Sequence, residues 1–162
     1  MRSIWAAARE KNSTPFIEMS AEQIHQVIYA STAVEPLSMA QLVEIMNVSH
    51  TQNLVHELTG LLLYAHERFF HVLEGSEDNL RQVYDSIRFD GRHKNIDELR
   101  FEPREGRNFD DWQMSFRTDD FDQVAGNPGS RFLYPDFDIT RFEAEENEAF
   151  RMLLAFRKIH DF

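Results

Sequence analysis

Two apolar runs separated by four residues constrain this chain most. Leu58-Thr59-Gly60-Leu61-Leu62-Leu63-Tyr64 is apolar almost throughout, and Phe69-Phe70-His71-Val72-Leu73-Glu74 follows it across Ala65-His66-Glu67-Arg68. The first run does not alternate, which marks a strand buried on both faces rather than one half in water. The four residues between read as a turn, so the two runs form a hairpin. Gly75 is expected to break the second arm, and Ser76 can cap a following helix. In that helix Leu80, Val83, Tyr84 and Ile87 stand at i, i+3, i+4 and i+7, and Asp90-Gly91 stops it.

The other elements fall around this hairpin. Ile24 to Ser31 carries β-branched and aromatic residues and reads as a strand. Ser38-x-x-Gln41 is a capping box, and Leu42, Ile45, Met46 and Ser49 follow at helical spacing, predicting a helix over 39–52. Ile96 to Pro103 reads as a fourth strand and Trp112 to Phe116, which alternates, as a fifth. The order is β-α-β-β-α-β-β. Its first six elements are the α+β, ferredoxin-like β-α-β-β-α-β arrangement, with two helices on one face of the sheet. Residues 1–23 read as an N-terminal extension that can hold a short helix, 24–118 as the folded domain, and 119–162 as a linker with a terminal helix. That helix should span 141–159, with Phe150, Leu153, Leu154 and Phe156 on its apolar side.

Composition narrows the function. The 162 residues hold 28 Asp+Glu against 17 Lys+Arg, a formal net charge of −11. A broad phosphate-binding surface needs clustered cations, so nucleic acid is not an expected partner. There is no cysteine, which removes thiolate metal sites, disulfides and cysteine nucleophiles. No apolar run approaches the ~20 residues of a membrane span. The N-terminus lacks a signal-peptide core, so the expected compartment is the cytoplasm. The seven histidines show no His-Glu-x-x-His or His-x-His spacing, and no metal site is expected. There is no glycine-rich phosphate loop and no nucleophile elbow, so no enzyme class is supported. Phenylalanine is abundant, with 14 residues, and suits a core or pocket that holds a flat ring.

A ferredoxin-like sheet hosts many functions, so the site residues must decide. The informative ones are Tyr29-Ala30-Ser31, Asn53, the Leu58-Thr59-Gly60-Leu61-Leu62 arm, Val72-Leu73-Glu74-Gly75, Asp90-x-Arg92-His93 and Asn108-Phe109-x-x-Trp112-x-Met114. In this order and spacing the chain resembles the BLUF family of flavin-based blue-light sensors, over about residues 25–117. The resemblance implies an oxidised flavin, FAD with FMN as the other candidate, between the two helices on the sheet. It implies Tyr29 as electron donor and Asn53 and Asp90 at the ring edge. Ser49, Gln52, His71, Arg92 and His93 complete the expected cofactor contacts, and Trp112 with Met114 forms a signalling pair. Only 45 residues follow Arg117, so a stand-alone sensor that signals through contacts with a protein partner is expected, and the resemblance implies a homo-oligomer.

The residue chemistry agrees. A flavin edge offers acceptors and an N–H donor, and an Asn amide complements both. Three positions depart from the family pattern. His71 stands where a relay glutamine is expected; imidazole donates and accepts but has no amide to rotate, and its ordinary pKa of about 6.5 adds a charge state. Gln52 stands where Asn or His is common. Ser86 stands where many members carry Arg. Two competing readings follow: a light-insensitive interaction module, and a flavin enzyme using His71 as an acid–base group. Other features also carry plain structural readings. Trp112 and Met114 fit core packing, Asp90 to His93 a solvated helix exit, and Glu74-Gly75 a mere strand end.

Overall fold

A computed structural model describes residues 23–109, 115–118 and 148–160. The expected N-terminal helix, Trp112 and Met114, and the 119–139 linker lie outside the described residues. Five strands form one sheet: β1 (Ile24–Ala33), β2 (Thr59–Ala65), β3 (Arg68–Ser76), β4 (His93–Arg104) and β5 (Ser115–Thr118). Their order across the sheet is β4-β1-β3-β2-β5. The first four are antiparallel to their neighbours, and β5 joins the edge parallel to β2. Helices α1 (Met39–Val55) and α2 (Glu77–Arg88) are the crossovers of a ferredoxin-like unit, and α3 (Glu148–His160) is the terminal helix.

The central hairpin forms as its sequence demands. All seven residues of β2 are buried, and so is all of β3 after Arg68. The pleat sends alternate residues to opposite faces. Leu62, Tyr64, Phe69 and Leu73 pack with Val27 and Tyr29 of β1 under Leu42 and Met46 of α1 and Leu80, Val83 and Tyr84 of α2. Leu61, Leu63, Phe70 and Val72 face the other way, where Ile28, Phe109, Ala149 and Leu153 cover them. The terminal helix therefore closes the second face of the sheet, and the Phe156 ring lies 5.5 Å from that of Phe70. Arg100 of β4 pairs with Glu148 at the start of α3.

Several boundaries differ from the sequence reading, each for a local reason. The turn is tighter than four residues: Ala65 pairs with Arg68, leaving His66 and Glu67 alone in the loop, both at positive φ of 48° and 62°, as a two-residue hairpin turn of the type I′ class requires. Gly75 does not break β3; it pairs with His25, and the strand runs into Ser76, which caps α2 by accepting from the Asn79 N–H. Helix α2 stops at Arg88, before Asp90-Gly91. Helix α1 begins at the Ser38–Gln41 capping box but continues to Val55. Strand β4 starts three residues early, at His93, and β5 is described from Ser115.

Candidate functional site

The site lies between the two helices and the sheet. Three side chains meet across neighbouring strands: Tyr29 of β1 is in register with His71 of β3, which is in register with Leu62 of β2. Helix α1 lays Ile45, Val48, Ser49, Gln52 and Asn53 along one stripe, at i, i+3, i+4, i+7 and i+8. Helix α2 answers with Val83, Ser86 and Ile87, and the chain beyond it adds Asp90, Arg92 and His93. Phe69 completes the wall. All eight residues expected to contact a cofactor, Tyr29, Ser49, Gln52, Asn53, His71, Asp90, Arg92 and His93, line this one cavity.

Inside it Tyr29 and His71 form a buried pair. The hydroxyl lies 2.8 Å from His71 Nδ1, and the rings sit edge to face at 5.3 Å. Burial raises the Tyr29 pKa, with Tyr84 and Asp90 adding to the effect, so the phenol is protonated at neutral pH. Burial, with help from His93, pulls His71 down to about 3, so its imidazole is neutral. Among the described residues His71 Nε2 is buried without a hydrogen-bond partner.

Around the pair the framework is tied by polar contacts. His93 Nε2 sits 2.7 Å from the Ile87 carbonyl, which can only accept, so Nε2 donates. In the neutral ring Nδ1 then accepts from the Ser31 hydroxyl at 2.8 Å. This histidine joins β1, β4 and the last turn of α2. Asp90 receives the Arg92 guanidinium and backbone N–H, and these hydrogen bonds hold its carboxyl below the ordinary range. Asp90 and Arg92 are half-buried, not a freely solvated helix exit.

Of the apolar wall, the sequence marks Ile45, Leu62, Phe69, Val83 and Ile87 as strand and helix residues without assigning them to the site, and it does not single out Val48. For Ile45 and Val48 the helical stripe of α1 carried the signal. Sequence reasoning missed the role of Glu74, which is fully buried on the opposite face of β3. Its oxygens accept from Gln26 Nε2, Asn108 Nδ2 and the backbone N–H groups of Asn108 and Phe109. Burial raises its pKa against the pull of these four donors. Arg107 completes the clamp by donating to Thr59 Oγ1 and to the carbonyls of Glu74 and Glu57.

An orphaned buried ring nitrogen, apolar walls from two helices and a sheet, and a rim of amide, hydroxyl and carboxylate groups suit a flat heteroaromatic ligand whose edge both donates and accepts. A flavin ring meets this description.

Comparison with known proteins bears on the same region. Residues 24–115 match the family model BLUF, described as sensors of blue-light using FAD. The chain is 33% identical over 73 residues to the blue light- and temperature-regulated antirepressor BluF of Escherichia coli (strain K12), covering 45% of this chain and 18% of that protein. It is 27% identical over 128 residues to the photoactivated adenylate cyclase subunit alpha of Euglena gracilis, covering 75% of this chain and 12% of that one. The chain thus spans less than a fifth of the length of these relatives. Among solved structures, the dark-state BLUF protein BlrB superposes with a TM-score of 0.58 at 30% identity, over 60% of this chain and 74% of that one. Klebsiella pneumoniae BlrP1 with FMN and cyclic diGMP gives 0.61 at 26% identity, over 82% of this chain and 34% of that one.

Proposed function

From the premise that this chain belongs to the BLUF family of blue-light sensors using FAD, we propose that it is a flavin-based photoreceptor that signals through protein contacts. The observation that carries the proposal is the convergence of eight expected contact residues on one cavity around the buried Tyr29–His71 pair. The flavin is FAD by the family's description, with FMN, bound in the BlrP1 structure, as the alternative. Bound there, it supplies the absorption of blue light and an excited state that takes up an electron.

The chain's own residues do the rest. Tyr29, neutral and buried, is the electron donor, and its hydroxyl proton has His71 Nδ1 beside it. Asn53 and Asp90 hold the polar edge of the ring, with Ser49, Gln52, Arg92 and His93 around them. Ile45, Val48, Leu62, Val83 and Ile87 keep water from its faces. Trp112 and Met114, ahead of β5, form the signalling pair. Residues 24–118 form the sensor, flanked by the extension 1–23 and by 119–162.

No catalytic role is assigned. The relatives named antirepressor and adenylate cyclase tie such domains to regulated outputs, and here the output is a protein partner met by a homo-oligomer. Among the described residues no helix is long and apolar enough to cross a membrane, and the cytoplasm is the proposed compartment.

An absorbance spectrum of the purified protein, dark and after blue illumination, tests this. Flavin bands that shift reversibly to the red are expected. A protein that takes up neither FAD nor FMN on reconstitution overturns the proposal and favours a light-insensitive interaction module.

A further inference from the structure

We infer that Tyr29 locks His71 into one tautomer, so that the residue at the relay position offers the cavity a fixed N–H donor at Nε2, and the ligand must set an acceptor against it. The inference rests on the flavin reading of the cavity and concerns this chain's departure from glutamine.

The tautomer follows from a count of unmet donors and acceptors. Among the described residues the Tyr29 hydroxyl has one hydrogen-bonding partner, His71 Nδ1 at 2.8 Å. A neutral imidazole has one N–H and one bare nitrogen. If Nδ1 carried the proton, the Tyr29 O–H would be buried with nothing to receive it, and Nε2 would also lack a partner. If Tyr29 donates to Nδ1, the phenol is satisfied and only Nε2–H is orphaned. Each buried donor or acceptor left unmet costs about 1–3 kcal/mol, and the first arrangement leaves two such groups against one, so the second wins. The imidazole lines the cavity, so a ligand can relieve that last orphan. The carbonyl and ring-nitrogen acceptors of an oxidised flavin are suitable partners.

The lock changes what a relay can do. A primary amide exchanges donor for acceptor by turning over. Turning an imidazole over replaces both nitrogens with carbons and breaks both contacts. The polarity at Nε2 reverses only when two protons move together: the Tyr29 hydroxyl proton onto Nδ1, and the Nε2 proton onto the ligand atom that accepted it. His71 ends neutral, as it began. Were Tyr29 also to yield one electron to a bound, light-excited flavin, the tyrosine would lose one electron and one proton and the flavin would gain one of each.

Long-range proton–nitrogen correlation spectra of protein labelled with nitrogen-15 at histidine, taken as purified and after reconstitution with FAD, read the tautomer without reference to light. A protonated Nε2 with a bare Nδ1 is expected in both samples, and a protonated Nδ1 overturns the lock. For the ligand half, FAD binding is measured for the wild type, His71→Leu and His71→Gln. Loss of one hydrogen bond should weaken His71→Leu about fivefold, while His71→Gln, which still presents an N–H, binds as the wild type does. Equal affinity in the leucine variant overturns the claim that the ligand accepts from Nε2. No uptake of FAD by the wild type instead sinks the flavin reading, while the spectra still decide the tautomer.

Discussion

Glu74 holds Asn108 at two points: one carboxylate oxygen accepts from the Asn108 backbone N–H at 2.8 Å and the other from its side-chain amide at 2.7 Å. The carboxylate also receives Gln26 and the Phe109 N–H. It thereby fastens the segment ahead of β5 to the face of the sheet opposite the cavity. Glu74→Ala should leave these donors unpaired in the core and cost about 3 kcal/mol. Glu74→Gln, which sets an NH2 against N–H donors, should cost roughly 2 kcal/mol. Urea unfolding measures the loss. Amide hydrogen exchange should show Asn108 and Phe109 losing protection ahead of the centre of β3. Unchanged protection at those two amides would mean the segment is held by other contacts.

Two glycines flank the hairpin and should respond unequally to alanine. A Cβ on Gly60 would lie 2.2 Å from the Val72 carbonyl oxygen, a backbone atom fixed in the β2–β3 ladder. A Cβ on Gly75 would lie 2.2 Å from Leu58 Cδ2, a terminal methyl that can rotate away, with the nearest backbone atom at 3.5 Å. Gly60→Ala should therefore cost about 3 kcal/mol or more, and Gly75→Ala about 1–2 kcal/mol. Denaturant midpoints at constant slope compare the two; a larger loss at Gly75 would contradict this order.

What the sequence disclosed follows from how local each determinant is. The hairpin was legible because its burial is written in consecutive residues, and α2 because Leu80, Val83, Tyr84 and Ile87 repeat at helical spacing. The end of α1 was not, since Leu54 and Val55 stay exposed and give no amphipathic stripe to follow. The start of β4 was hidden behind polar residues, with Asn95 at a positive φ of 52° and the pairing with β1 irregular near Ala30. The cavity's polar residues came through the family resemblance, residue by residue. Glu74 read as a strand end because a charge in a strand usually faces water. Its partners Gln26 and Asn108 stand 48 and 34 residues away, a pairing that one sequence does not reveal.

His71 gives the folded protein a definite acid sensitivity. Its pKa is about 3 in the fold against 6.5 ordinarily, because burial disfavours the imidazolium. Between those values the unfolded chain binds the extra proton and the folded one does not, so stability rises with pH through the window and is lost as pH falls from about 6.5 toward 3. The slope is about 1.4 kcal/mol per pH unit. Between pH 7.5 and 5 the wild type should lose about 2 kcal/mol on this account, and His71→Gln should lack that part of the slope. Parallel pH profiles for the two proteins would show that position 71 is not the buried base.

Light responses should separate Tyr29 from His71. Tyr29→Phe removes the hydroxyl, hence both the proton donated to Nδ1 and the readily oxidised phenol. The apolar walls from Ile45, Val48, Leu62, Val83 and Ile87 are untouched, so flavin should stay bound while the red shift disappears. His71→Gln should produce a red-shifted state of the family's usual form, because an amide can exchange donor for acceptor by turning over, whereas the locked imidazole reverses only by moving two protons. Difference spectra after blue illumination measure both. A shift that survives Tyr29→Phe would move the electron donor to Tyr84, whose ring lies 5.4 Å from that of Tyr29, and the double variant with Tyr84→Phe would then be silent. A silent His71→Gln that still binds flavin would clear position 71 and turn attention to Ser86, which lines the same cavity where many members of the family carry Arg.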